Sequence, residues 1–125
     1  MADPIEREAT GDLISANRVT GTEVYNHEGT HLGSIDDVML HRHTDRIAYA
    51  IMSFGGFLGI GEKYHPVPWS VLSYDEGRGG YVVNLTEDQL RDAPAFTRDD
   101  IREDDRAWRE PVYTHYGVTP YWSML

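Results

Sequence analysis

The sequence predicts a mainly β fold, a small β-barrel of about six short strands followed by C-terminal helices and an aromatic tail. Three observations predict it. Short runs of β-branched and aromatic residues recur at close spacing, separated by Gly, Asn and Asp turn chemistry. The central run Ile47–Phe54 is apolar on both faces, so both faces must be covered. From Leu85 onward, strand alternation gives way to helix-capping patterns.

Residues 1–12 are polar and carry Pro4 and Gly11, which predicts a flexible N-terminal tail. The barrel domain is placed at 13–85, opening with Leu13-Ile14 as a short strand. Gly21–Tyr25 is the next strand, and Asn26-His27-Glu28-Gly29 the turn after it. Leu32–His41 returns as a strand with a broken alternation. Leu32, Val38 and Leu40 share one face with Asp36, while Ile35 and Met39 share the other with Asp37. A bulge or bend near Asp36-Asp37 reconciles these positions, and a small closed barrel needs such bends.

Arg42-His43-Thr44-Asp45 is a turn into Ile47–Phe54, where Ile47, Tyr49 and Ile51 face one way and Ala48, Ala50, Met52 and Phe54 the other. A loop with Gly55, Gly56, Gly59 and Gly61 leads to an extended segment ending at Val67-Pro68-Trp69. Asp75–Gly80 is a glycine-rich turn, and Tyr81–Asn84 closes the sheet.

The extension 86–125 opens on a capping box. Thr86 is the N-cap, Gln89 stands at N3, and Leu85 staples to Leu90. This helix runs to about Ala93, before Pro94. A second helix is capped by Thr97, stapled by Phe96 and Ile101, and reaches about Glu110, before Pro111. Its expected ion pairs are Asp99–Arg102, Glu103–Arg106 and Asp105–Arg109. Its thin apolar face, Ile101, Ala107 and Trp108, describes a surface helix with one anchor. The tail Val112–Trp122 carries Tyr113, Tyr116, Tyr121 and Trp122. Burying one such ring contributes ~1.5–3 kcal/mol, so the tail is expected to dock on its own barrel or on a neighbour's.

The chain has 125 residues, 40% of them hydrophobic, enough for one domain with tails. No apolar run approaches the ~18–20 residues of a membrane helix, and the first residues do not read as a signal peptide. Membrane insertion is not expected. The chain lacks cysteine, which excludes disulfide and thiolate chemistry and suits a cytoplasmic location. Its formal charge is −10, from 21 acids against 11 bases. Without a basic stripe, direct nucleic-acid binding is not expected, nor is docking on an anionic bilayer.

Candidate chemistry is sparse. Gly56–Lys63 nearly spells a phosphate-binding loop, but Glu62 stands where the lysine belongs, and neither Ser nor Thr follows Lys63. The loop instead presents Phe57, Leu58 and Ile60 as contact surface. Among six histidines, His41 and His43 share a face that Asp45 would extend, and His27 and His31 flank a turn. None of these forms a recognised ligand set, so neither metal nor other cofactor is expected. Asp36 and Asp37 point to opposite faces unless a bulge turns them together. One of them facing inward would be a buried acid with a raised pKa, able to pass protons. The alternative is a bulge residue satisfied by backbone N–H groups. Ser53, Ser70 and Ser73 lie in strand-like segments without a nucleophile elbow. No catalytic residue is assigned.

The succession Gly21, Val24-Tyr25-Asn26, Gly29, Leu32-Gly33, Ile35, Asp37-Val38, Ala48-Tyr49-Ala50-Ile51 and Val67-Pro68-Trp69 resembles the PRC-barrel family over about Leu13 to Leu85. That family includes the cytoplasmic domain of the photosynthetic reaction-centre H subunit and the C-terminal domain of a ribosome maturation factor. The loop Phe54–Gly61 and the segment Tyr64–Trp69 are similar to those of small stand-alone bacterial members. The sequence shows neither a transmembrane helix nor an upstream RNA-processing domain, which sets it apart from both larger relatives. The resemblance implies a PRC-type β-barrel and a non-enzymatic interaction or assembly module. Its expected contacts are Phe57, Leu58, Ile60, Trp69, Tyr113, Tyr116, Tyr121 and Trp122, as aromatics anchor interfaces. A homodimer and an unidentified protein partner are expected. Two further roles are weighed: a ribosome- or RNA-processing-associated accessory factor, and a protein that is associated with a photosynthetic or electron-transfer complex or handles protons through Asp36 or Asp37.

Overall fold

A computed structural model of the chain describes residues 13–54, 63–102 and 104–124. The expected tail 1–12 and the glycine loop with Phe57, Leu58 and Ile60 lie outside the described residues.

The six described strands form one sheet. They are β1 (Glu23–Asn26), β2 (His31–His41), β3 (Arg46–Phe54), β4 (Tyr64–Pro68), β5 (Leu72–Asp75) and β6 (Gly80–Val83), in the order β4-β3-β2-β1-β6-β5. The first four are an antiparallel meander, and β6 returns beside β1 in parallel. The Asn26 side chain builds the first turn, its Oδ1 accepting from the N–H groups of Glu28 (3.0 Å) and Thr30 (2.9 Å). Gly29 takes the positive φ of 90° that this turn demands. Where β1 meets β6, a Cβ on Gly80 would stand 2.5 Å from the Glu23 carbonyl oxygen, so only glycine permits this approach.

The ladder is open, since β4 and β5 are its two ends. This corrects the expectation of a closed barrel but leaves the sheet strongly curled. Six flat strands would separate the edges by roughly 24 Å. The chain crosses from β4 to β5 through a single 3₁₀ turn, Trp69–Val71, and so short a link reaches only about 14 Å. Bulges add curvature: one in β1–β2, where Leu32 is extra opposite Val24 and Tyr25, and two between β2 and β3. Ile35 pairs with Met52 and Asp37 with Ile51, which leaves Asp36 as an extra residue in β2. Met39 pairs with Tyr49 and Leu40 with Ile47, which leaves Ala48 extra in β3. The bulge expected near Asp36-Asp37 is therefore present. The second β2–β3 bulge moves Ala48 to the face of Tyr49 and Ile51, away from the face that strict alternation gives it.

Two strand assignments change. Leu13-Ile14 is not a strand; Leu13 is 84% exposed and precedes a short helix, α1 (Ala16–Val19). The sixth strand is β5, whose Ser73 and Tyr74 are exposed along the sheet's outer edge.

β4 is buried along its whole length. Tyr64 turns its backbone away from β3, exchanging hydrogen bonds with Phe96 in both directions (2.8 and 2.9 Å). By alternation, Pro66 and Pro68 also face away from β3. Having no N–H, they leave no buried donor unsatisfied on that side.

The sheet's concave face holds one core, built on Val24, Leu32, Ile35, Ala50, Met52, Val67 and Val83. Helix α2 (Glu87–Arg91) closes it with the fully buried Leu90. Its capping box is complete: Gln89 N–H donates to Thr86 Oγ1 (3.0 Å) and Thr86 N–H to Gln89 Oε1 (2.8 Å). The helix ends at Arg91, short of Ala93.

A second core lies on the other face of β3, where Ala48, Tyr49 and Ile51 meet Tyr64, Ile101, Trp108, Val112 and Tyr113. β3 is thus covered on both sides, as its composition demands. The cover is not one helix reaching Glu110. It is α3 (Arg98–Arg102), a 3₁₀ turn (Asp105–Ala107), α4 (Arg109–Tyr116) and a last 3₁₀ turn (Tyr121–Met124). Pro111 does not end a helix. It sits in the first turn of α4, where backbone N–H groups have no intrahelical acceptor. Gly117, at φ 67°, ends α4 instead, its N–H donating to the Tyr113 carbonyl (2.8 Å). The segment expected as an aromatic tail is largely this helix, docked on its own sheet.

Candidate functional site

The second core is held to the sheet by two polar clasps. At the first, Arg98 Nη2 donates to Asp36 Oδ2 and to the Tyr64 hydroxyl, both at 2.8 Å, and its guanidinium lies 4.5 Å from the Tyr64 ring centre. The bulge that makes Asp36 an extra residue turns it toward α3. Asp36 is therefore a surface partner of Arg98, with its side chain 30% exposed. Asp37 is exposed, and its Oδ1 accepts from the Val38 N–H (2.8 Å). Neither is the buried acid that the sequence suggested, because the bulge delivers one carboxylate to an arginine and the other to solvent.

The second clasp is Asp105. Its Oδ2 accepts from the Tyr49 hydroxyl at 3.0 Å and from the Tyr121 hydroxyl at 2.7 Å. Tyr49 is 1% exposed, and burial first, then the Asp105 charge, drives its phenol far up from its ordinary pKa. The Tyr121 phenol is pushed up to about 12 by burial and by its bond to Asp105. Rings pack around this pair: Trp108 lies 5.0 Å from Tyr49, Tyr113 5.7 Å from Tyr49, and Trp122 4.8 Å from Tyr113. The Arg109 guanidinium covers Trp122 at 3.9 Å.

Tyr121 stands as a post between two open clefts. One, of about 570 Å³, has Ile47, Trp69, Tyr113 and Tyr121 on its walls and His41 and Arg46 at its rim. Its size falls in the range of ligand sites. The other, of about 490 Å³, holds Asp104 and Asp105. His41 and Arg46 face each other across the end of the β2–β3 hairpin. The turn between them is fixed by Asp45, whose N–H donates to the His41 carbonyl (3.0 Å), and by a bond between His41 Nδ1 and Thr44 Oγ1 (3.0 Å). The His41 ring lies 5.4 Å from Tyr121, which ties the hairpin to the C-terminal turn.

Of the contact residues expected from sequence, Trp69, Tyr113 and Tyr121 converge on the larger cleft, with Tyr113 buried in its floor. Trp122 lies beside them, beneath Arg109. Tyr116 is elsewhere. It bridges the two cores, and its buried hydroxyl has no hydrogen-bond partner among the described residues. Sequence reading missed Asp105 as the clasp, which it paired with Arg109, and missed His41 with Arg46 as a cross-strand pair. The cue for the second was the hairpin turn itself, which makes its flanking residues neighbours. His41 and His43 lie edge to face at 5.8 Å, and His31 bonds Glu23. Among the described residues no three His, Asp or Glu side chains converge as a metal site, and no helix is long and apolar enough to cross a membrane.

Residues 11–90 match the PRC-barrel domain. A protein of Deinococcus radiodurans, itself described as uncharacterized, is 28% identical over 79 residues, which cover 63% of this chain and 28% of that protein. A solved structure from Pseudomonas aeruginosa, described as a 16S ribosomal RNA processing protein, RimM, shares 18% identity at a TM-score of 0.40. The overlap covers 64% of this chain and 48% of that one. The chain thus spans about a quarter of the length of the first relative and about half of the second. The family match runs from before β1 through α2 and takes in more than half the sequence: the chain belongs to the PRC-barrel domain family.

Proposed function

We propose that this protein is a non-enzymatic interaction module, and that it docks a segment of a protein partner in the cleft between the β2–β3 hairpin and the C-terminal turn. One observation carries this reading: Trp69 and, from the C-terminal segment far along the chain, Tyr113 and Tyr121 meet around one open cleft. Aromatic walls of this kind give large contact area at low entropic cost and dominate binding energy at interfaces. The cleft's architecture suits docking because its walls are braced from behind. Asp105 holds Tyr121 upright, and the hairpin turn is bonded internally.

Ile47→Glu tests the proposal. Ile47 is half-exposed on the cleft wall, so the substitution changes the cleft while sparing both cores. Affinity capture from the native host is run with both proteins, after near-ultraviolet circular dichroism shows equal folding. The proposal expects a defined partner to be retained by the wild type and lost by Ile47→Glu. Identical captured sets would overturn it.

A further inference from the structure

We infer that the segment received by the cleft is acidic, with an apolar anchor residue flanked by carboxylates. The inference rests on the docking reading above and adds the chemistry of the partner. The chain carries a formal charge of −10, yet among the described residues no carboxylate lines the larger cleft. Its charge-bearing rim is His41 and Arg46, opposite each other on the hairpin end. Arg42, on the same turn, lines the neighbouring cleft instead. Among the described residues neither Arg42 nor Arg46 has an ion-pair partner, whereas Arg78, Arg91, Arg98 and Arg106 each do. One carboxylate, Asp45, lies exposed in the same turn without pairing to either arginine, and the two in the neighbouring cleft are engaged. Asp104 pairs with Arg106 at 2.6 Å, and Asp105 takes the two phenols.

A guanidinium left without a carboxylate in an acid-rich protein is a donor fork open to an incoming anion. Thr44 and Ser70 add hydroxyls to the cleft lining, while Trp69, Tyr113 and Ile47 offer an apolar wall. A ligand that satisfies both parts sets an aromatic or aliphatic side chain against the wall and carboxylates against the hairpin. A basic segment would meet like charge at the rim.

The test titrates three end-blocked peptides into isotope-labelled protein and follows backbone amide shifts. Each peptide has a central phenylalanine, flanked on both sides by aspartate, asparagine or lysine. The aspartate peptide is expected to shift Thr44, Arg46, Ile47 and Ser70, and to bind at least about tenfold more tightly than the lysine peptide, the scale of one charge-assisted contact. Arg46→Glu should abolish that preference. Arg91→Glu, the same charge change at a position lining neither cleft, should keep it. Equal binding of the three peptides, or shifts centred elsewhere, would overturn the inference.

The two proposals fail separately. If Ile47→Glu loses the partner but Arg46→Glu keeps it at full strength, the docking reading stands and the acidic chemistry falls. If the aspartate peptide binds as expected but Ile47→Glu captures what the wild type captures, the docking reading falls instead. A dimer by sedimentation that Ile47→Glu converts to monomer would make a second copy of the chain the occupant, which also overturns the acidic-partner inference.

Discussion

The Tyr121 hydroxyl donates to Asp105 at 2.7 Å, on the same carboxylate oxygen that accepts the buried Tyr49 hydroxyl at 3.0 Å. One acid from the C-terminal extension thereby ties a residue in the middle of the sheet to the post between the two clefts. Asp105→Ala should cost about 1–3 kcal/mol, because it removes the carboxylate that two phenols share. Asp105→Asn keeps an acceptor oxygen and should cost less. Urea denaturation ranks the two. A neutral Asp105→Ala would mean that the extension is held by ring packing alone.

Acid should destabilise the fold through His65. This imidazole is 6% exposed at the heart of β4, and its pKa is lowered by burial, against the opposing pull of a backbone hydrogen bond at Pro94 and with a smaller push from His115. The unfolded chain titrates near ~6.5, above the folded value. Its contribution to stability is therefore complete above that pH. It is lost as pH falls from there through the lowered folded value, where the unfolded state binds the proton first. Urea midpoints measured down this range should decline, and His65→Gln should flatten the slope. A slope unchanged by the substitution would place the acid sensitivity elsewhere.

Gly80→Ala should weaken the junction of β1 and β6. The added carbon would meet a backbone carbonyl at 2.5 Å, and the Tyr25 ring stands at 3.2 Å. A carbonyl in a strand ladder cannot swing aside as a side chain can, so a loss of about 1–3 kcal/mol is expected, typical of an overpacked site. Faster amide exchange at Val24, Tyr25 and Val82 should accompany it. Wild-type stability in this variant would show that the two strands separate freely.

Pro66→Ala should destabilise although it removes little volume. Pro66 is fully buried and faces the side of β4 where α4 lies. Alanine there introduces an N–H with no ladder partner, at a cost of about 1–3 kcal/mol. A stable variant would indicate an acceptor waiting on that side.

Much of this fold was legible in the sequence, where a local signal had a single physical solution. The capping box at Thr86 and Gln89 is such a signal, as are the Asn26–Gly29 turn and the two-sided run in β3. The broken alternation in β2 located the bulge at Asp36, though not the arginine that Asp36 would meet, since Arg98 lies far along the chain. β5 reads as strand-like at Ser73 but has no place in the expected sheet, because Leu72-Ser73-Tyr74-Asp75 is four residues long and half-exposed. Pro111 misled because proline ends a helix from inside but fits its first turn, and only Gly117 discloses which reading applies. The bulge at Ala48 left no trace in a run apolar on both faces. The cleft's three aromatics were recognised as contact residues one by one. The β3–β4 register sets Trp69 beside Ile47 and Ala48, but the convergence of the three also needs the C-terminal segment to dock there, and that is a tertiary fact.

The most direct test of the docking account is amide hydrogen exchange on the protein alone and with its captured partner bound. The account predicts slowed exchange at residues 41–47 and at Trp69 and Ser70, with the free β5 edge unchanged. Protection confined to β5, with the cleft exchanging as in the free protein, would contradict it.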